Sequence, residues 1–216
     1  PAIALFPKFI RSPRTAATIP FLSISIVIFI QYLLSIFKQF NHINVLIIIC
    51  ILSLIAFYRV YIDKNKSKNY WTTPDYKSLI LIFLSSIPLM IILGFDGFQH
   101  ADEIYSWNLW AKKIFLNQNI TFEVTLSPYP LALPSLIAFF YKFLGNVDYQ
   151  LPIKFSFSLI YISTIFFIYS FVKLKNSGIF FFSFLLIALI IGVGYEYKKV
   201  YADTLMGGFL LVSIGA

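Results

Sequence analysis

The sequence predicts an all-α integral membrane protein: a polytopic transmembrane helical bundle with interfacial helices in a large outer loop. Three observations support this fold class. Hydrophobic residues make up 59% of the 216 residues and charged residues only 12%, whereas soluble domains carry about 25% charged residues. The apolar residues are gathered in runs long enough to cross a bilayer. The basic residues flank these runs, so the net charge of +8 indicates membrane orientation rather than binding to nucleic acid.

Five apolar runs come close to the length of a membrane-crossing helix, which is about 20 residues. They are residues 20–37, 43–62, 78–95, 155–172 and 179–194. A last span begins near Thr204. Pro88 lies inside the third run, where we expect a kink rather than a break. We expect residues 1–216 to form a single transmembrane domain that is the N-terminal part of a longer protein.

The stretch 131–144 is ambiguous, because its 14 residues cover about 21 Å as a helix. Charge favours a position at the outer surface. By the positive-inside rule, the basic residues before the first span and after the second are cytoplasmic, so residues 96–150 form an outer loop. If 131–144 does not cross, Lys173 and Lys175 return to the cytoplasmic side, as the rule requires. If it crosses, these two lysines lie outside.

The outer loop contains a segment with helical periodicity directly after an acidic pair. Asp102 is suited to cap a helix that begins at Glu103. One face of this helix is apolar and includes Ile104, Trp107, Ala111 and Ile114, with Trp110 beside them. The other face is more polar and includes Tyr105, Asn108 and Lys112. The pattern predicts an amphipathic helix at the membrane interface, with tryptophan at headgroup depth.

The charged residues near the predicted outer surface each have two interpretations. Asp102 and Glu103 are either a helix cap or a general base or metal ligand. Asp203 either caps the last span or is functional, since a carboxylate at the edge of hydrocarbon is costly. Lys198 and Lys199 either contact lipid headgroups or hold a phosphate.

The order of short motifs over residues 78–216 resembles the GT-C superfamily of membrane glycosyltransferases. It is closest to bacterial members related to protein O-mannosyltransferases and the lipid A aminoarabinose transferase. In those members the outer loop follows the first span, whereas here two further spans precede it. The matching pieces are Asp102-Glu103, Trp107-x-x-Trp110-Ala111-Lys112, Tyr129-Pro130-Leu131-Ala132-Leu133-Pro134, Phe143-Leu144-Gly145 and Tyr201-Ala202-Asp203.

The resemblance implies transfer of a sugar from a polyprenyl-phosphate carrier to an acceptor hydroxyl at the outer face of the membrane. Asp102 would be the general base, Glu103 would support it, and Asp203 would line the same cavity. Whether Asp102 and Asp203 hold a divalent metal ion stays open, as do the sugar and the acceptor. The candidate substrate-binding residues are Lys112, Trp110, Tyr129, Lys198 and Lys199. The implied location is a bacterial inner membrane with a periplasmic active site, and the implied partners are the lipid-linked donor and membrane lipids.

Two other classes of function are compatible with a chain of this composition. A transporter or lipid-linked saccharide flippase would place ionisable residues within its spans, near the midplane. In this sequence the acidic residues are scarce within the spans and gather near one predicted surface, which favours surface chemistry. In a non-catalytic membrane scaffold, the same acids would only cap helices.

Overall fold

The computed structural model describes residues 1–5, 12–66, 76–92, 98, 101, 103–118, 131–170 and 202–215. Within these ranges the structure is all-helical and contains no strand. The helices are α1 (Ala2–Leu5), α2 (Pro13–Ile36), α3 (His42–Lys66), α4 (Tyr76–Ile92), the π-helix π1 (Glu103–Asn108), α5 (Leu109–Asn117), α6 (Ala132–Leu144), α7 (Leu151–Tyr169) and α8 (Ala202–Gly215).

Three of the described helices are long and apolar enough to cross a membrane. They are Arg14–Ile36, His42–Ile62 and Leu151–Tyr169, and they match the predicted runs 20–37, 43–62 and 155–172. The third run forms α4, which continues across Pro88 but has only 17 residues. The last run forms α8, which begins at Ala202. The predicted span 179–194 lies outside the described residues.

Helix α2 begins at a capping box. The Ser12 side chain accepts a hydrogen bond from the Thr15 N–H at 3.2 Å, and the Thr15 hydroxyl oxygen accepts one from the Ser12 N–H at 3.0 Å. Pro13 occupies the first turn, where its missing N–H costs nothing. These contacts satisfy backbone donors that would otherwise be exposed at the start of a membrane-crossing helix.

A short turn joins α2 to α3, and we call the two helices with their turn the α2–α3 hairpin. The two helices pack against α1 and α6, with an apolar groove between them, rather than directly against each other. Lys38 adopts a left-handed conformation with φ of 55° just after α2 ends. Asn41 then caps α3, because its side-chain oxygen accepts the Asn44 N–H at 2.9 Å. The tip of this hairpin, residues 37–42, is the end of the bundle at which the candidate site is built.

Helix α3 exposes large apolar side chains along most of its length. Ile47, Leu54, Phe57 and Tyr58 are each at least half exposed. An exposed apolar surface this long is unfavourable in water and favourable in hydrocarbon. The exposure therefore agrees with a helix that faces lipid.

The core of the described residues joins α2, α4 and α7 to α5 and α6, and α8 packs against α7. Phe83 of α4 packs edge-on against Phe155 of α7, with ring centroids 5.4 Å apart. Phe21 of α2 packs in the same way against Phe209 of α8, also at 5.4 Å. Such edge-to-face pairs add specific geometry to the apolar contacts.

Gly208 allows the close approach of α8 to α2. A Cβ atom at Gly208 would lie 2.7 Å from the Cε1 atom of Phe21, which is 1% exposed and has no room to move. At the neighbouring Gly207 a Cβ atom would meet nothing within 4 Å. We therefore predict that Gly208→Ala lowers the thermal unfolding midpoint in detergent, whereas Gly207→Ala leaves it unchanged or raises it through helix propensity. Equal midpoints for the two variants would contradict this packing.

Candidate functional site

Both ends of α6 contact the same end of the α2–α3 hairpin. At the C-terminal end, the Lys142 carbonyl oxygen lies 2.5 Å from the Nδ1 atom of His42, the first residue of α3. At the N-terminal end, Ser135 lies beside the hydroxyl of Tyr32, about one turn before α2 ends. Helix α6 therefore lies across one end of the hairpin and does not run along its length.

Gly145 ends α6 in a position that only glycine fits well. Its φ of 70° is in the left-handed region, and a Cβ atom would lie 3.3 Å from the Cε1 atom of His42. The backbone conformation and the close approach of the imidazole both disfavour a side chain. This gives a structural reason for the Phe143-Leu144-Gly145 motif.

Helices π1 and α5 pack against α6 and are fixed by a buried hydrogen bond. The Tyr141 hydroxyl donates to the Oδ1 atom of Asn108 at 2.6 Å. The Phe115 ring packs edge-on against the Tyr141 ring, with centroids 6.4 Å apart. We call π1, α5 and α6 together the platform, since they form one packed unit at the hairpin tip.

The structure corrects one predicted face of the amphipathic helix. Trp107, Ala111 and Ile114 are buried, as expected of the apolar face, but Asn108, expected on the polar face, is also buried. Asn108 lies three residues before Ala111, so it borders the buried face, and Tyr141 supplies its hydrogen-bond partner there. Ile104, expected on the apolar face, is instead 37% exposed. The chain from Glu103 to Asn108 is a π-helix, whose wider turns displace Ile104 from the face that Trp107, Ala111 and Ile114 share.

The tryptophans of the platform are covered by protein. Trp107 and Trp110 pack edge-on with centroids 5.3 Å apart, and each is 8% exposed. The structure buries these rings in the same core as α6, and their predicted position at headgroup depth stays a prediction. A contact between Trp110 and a substrate stays a prediction.

Lys142 is a buried cation with aromatic neighbours. Its Nζ atom lies 4.2 Å from the centroid of the Phe115 ring and 5.7 Å from that of Phe40. No carboxylate in the described part of the chain pairs with it. Burial lowers the pKa of Lys142. The sequence signal for this site is a lysine in an otherwise apolar segment, but its aromatic contacts are long-range and leave no local pattern.

The pKa of Tyr141, the residue before Lys142, is raised, as expected for a buried acid. Burial raises the pKa of its phenol, and the nearby carboxylate of Asp148 raises it further. The hydroxyl therefore stays protonated and keeps its hydrogen bond to Asn108. Sequence reasoning missed this pair and also missed His42, because each contact joins segments far apart in the chain.

The predicted catalytic residues fall at the margins of the described structure. Glu103 is the first residue of π1, and Asp203 is the second residue of α8. Lys112 lies half-buried on α5. Asp102, Tyr129, Lys198 and Lys199 lie outside the described residues. A cavity shared by Asp102 and Asp203 therefore stays a prediction.

Metal binding by Asp102 and Asp203 also stays a prediction. Among the described residues no group of three His, Cys, Asp or Glu side chains is placed to hold a metal ion.

An apolar groove of about 830 Å³ lies between α6 and the helices α2, α3 and α4. Leu136, Phe139 and Phe143 of α6 line one wall, and Ile24 and Val27 of α2 line another. Residues of α3, α4 and α7 complete the walls, together with Pro1 and with Ile3 of α1. The groove is open beside α4, where lining residues such as Ile80 and Phe83 are about half exposed.

Comparisons with protein-family models, curated proteins and solved structures found no match to this chain.

The burial of Lys142 generates a prediction about pH. Since its folded-state pKa is lowered from 10.5, the folded chain releases the proton at a lower pH than the unfolded chain does. The unfolded chain then binds more protons just below pH 10.5, so this residue makes stability rise with pH in that window. Lys142→Met should remove that part of the rise in the unfolding midpoint just below pH 10.5.

The matched control is Lys38→Met, which removes an exposed cation at the hairpin tip. It should leave the dependence of the midpoint on pH as in the wild type. The same loss of slope in both variants would show that overall charge, not the burial of Lys142, causes the dependence.

Proposed function

We propose that this chain is part of a membrane glycosyltransferase that moves a sugar from a polyprenyl-phosphate carrier to an acceptor hydroxyl at the outer face of the membrane. The observation that carries the proposal is the apolar groove beneath α6. Its lining is almost entirely hydrocarbon and aromatic, and it adjoins helices that are long and apolar enough to cross a bilayer. A site of this kind favours a hydrocarbon chain over a polar solute.

The size and opening of the groove suit a lipid-linked donor. Pockets for organic ligands usually have about 300–1,000 Å³, so 830 Å³ accommodates a substantial part of an isoprenoid chain. The groove opens beside α4, between helices that would be surrounded by lipid. A polyprenyl chain could enter from the bilayer without crossing water.

The platform connects this groove to the acidic pair. Helix α6 lines the groove with Leu136 and Phe139, and it packs against π1 through Tyr141 and Asn108. π1 begins at Glu103, directly after Asp102. One helix thus separates the proposed lipid chain from the segment that carries the proposed base.

The proposed chemistry is a direct displacement at the anomeric carbon of the donor sugar. Asp102 accepts the proton of the acceptor hydroxyl, and the acceptor oxygen forms a bond to the anomeric carbon. The bond from that carbon to the phosphate oxygen breaks, and polyprenyl phosphate leaves as an anion. A nearby cation stabilises the departing phosphate, and Lys112 on α5 is the described candidate.

The proposal predicts that Asp102→Asn in the full-length protein lowers sugar transfer by at least about 100-fold, because a positioned general base contributes 10² or more. Transfer is measured with a panel of polyprenyl-phosphate monosaccharides and endogenous acceptors in membranes. Asp148→Asn, which removes an exposed carboxylate between α6 and α7, is the control and should retain activity. Normal transfer by a well-expressed Asp102→Asn protein would remove Asp102 as the base.

The groove is tested separately from the base. Ile49 lines the groove, whereas Ile47 on the same helix is half exposed on its outer surface. Ile49→Trp should raise the KM for the lipid-linked donor with little change in kcat, and Ile47→Trp should not. If both variants keep the wild-type KM, the groove does not bind the donor, and the proposal loses the observation that carries it.

A further inference from the structure

Gln31 is a polar side chain buried without a partner inside a candidate membrane span. It is 0% exposed, and neither its Oε1 nor its Nε2 atom makes a hydrogen bond. An amide has two donors and an oxygen that accepts twice, so its full hydrogen-bonding capacity is unused. A buried amide without hydrogen bonds costs free energy. The hydrocarbon around a membrane span contains no water that could supply those bonds.

Two buried serine hydroxyls lie near Gln31. Ser35 lies one turn after Gln31 on α2, and its hydroxyl has no hydrogen-bond partner. Ser135 lies in the first turn of α6, and the Tyr32 hydroxyl is its polar neighbour.

The neighbouring residues show that these groups belong to one junction. Tyr32, next to Gln31, lies beside Ser135. Val27, one turn before Gln31, lines the groove together with Leu136, next to Ser135. On the other side of α2, Leu33 and Ile36 are exposed, so Gln31 and Ser35 occupy the inward face.

The chemistry of the three side chains selects a type of ligand. All are neutral, and together they offer both donors and acceptors, with no charge to balance a phosphate or a metal ion. A hydroxyl group, which donates one hydrogen bond and accepts two, suits such a set. The charged candidates of the proposed mechanism, Lys112 among them, lie on other segments of the chain.

We propose that Gln31, Ser35 and Ser135 form a binding site for hydroxyl groups between α2 and α6, beside the apolar groove. The hydroxyls come either from ordered water or from the sugar of the donor. Buried water commonly satisfies polar groups in protein interiors, and a bound sugar would present several hydroxyls at once. The sugar source rests on the proposed glycosyltransferase function, whereas the water source does not.

The test compares thermal unfolding midpoints of the full-length protein in a zwitterionic detergent, with and without a panel of methyl glycosides. The variants are Gln31→Met, which keeps the volume but removes the amide, and Ser135→Ala, a smaller change if Gln31→Met does not fold. The control is Ser25→Ala on the same helix, since the Ser25 hydroxyl is exposed and donates to the Phe21 carbonyl at 3.1 Å.

If the unfolding midpoint of both variants falls by about 2–10 °C without any saccharide, the site is filled by water. The substituted side chains can no longer hydrogen-bond a water bound there. If the variants match the wild type without saccharide, but only the wild type and Ser25→Ala are stabilised by a glycoside, the ligand is the sugar. A midpoint that is unchanged or higher in Gln31→Met and Ser135→Ala under both conditions overturns the proposal. A lower midpoint without saccharide supports the hydroxyl-binding site even if no sugar transfer is ever detected. The binding site and the glycosyltransferase function can therefore be rejected independently.

Discussion

Helix α6 has 13 residues and therefore reaches about 20 Å, a third less than the hydrocarbon thickness of a bilayer. A helix of this length is better suited to lie along a surface than to cross. Its two ends contact Tyr32 and His42, which both belong to one end of the α2–α3 hairpin. The platform, the groove beneath it and the segment that follows Asp102 all depend on this placement. If α6 crossed the membrane, the proposed base and the proposed lipid site would not belong to one surface.

The packing of the platform shows how buried polar groups find partners within the protein. Tyr141 and Asn108 satisfy each other in a buried hydrogen bond. Lys142 places its ammonium over the Phe115 ring, an attraction that strengthens when both groups are desolvated. Gln31 and Ser35 have no such partner among the described residues. The contrast between the satisfied and the unsatisfied groups makes the α2–α6 junction a candidate for binding, not only for packing.

Much of the architecture was predictable because it follows from the local composition of the sequence. The apolar runs predicted three of the candidate spans, the acidic pair predicted the start of a helix at Glu103, and the run 131–144 forms α6. The π-helix was not predictable from composition, and it accounts for the exposure of Ile104, which α-helical spacing places on the apolar face. The burial of Asn108 was missed because its partner, Tyr141, is 33 residues away in the chain. The burial of Lys142 and Gln31 depends on contacts between distant segments. The roles of Asp102, Asp203 and Tyr129 are still predictions, since they derive from short motifs and their side chains lie outside the described residues.

The most direct test of this account is the accessibility of cysteines placed on either side of α6. In a protein whose Cys50 is replaced by alanine, Asn117→Cys lies at the end of α5 and Tyr149→Cys lies between α6 and α7, both at exposed positions. We predict that a membrane-impermeant thiol reagent labels both cysteines from outside intact cells, while a cysteine at Asn65 is labelled only after the membrane is opened. Labelling of positions 117 and 149 from opposite sides would mean that α6 crosses the membrane, and it would contradict the surface platform and the transferase proposed on it.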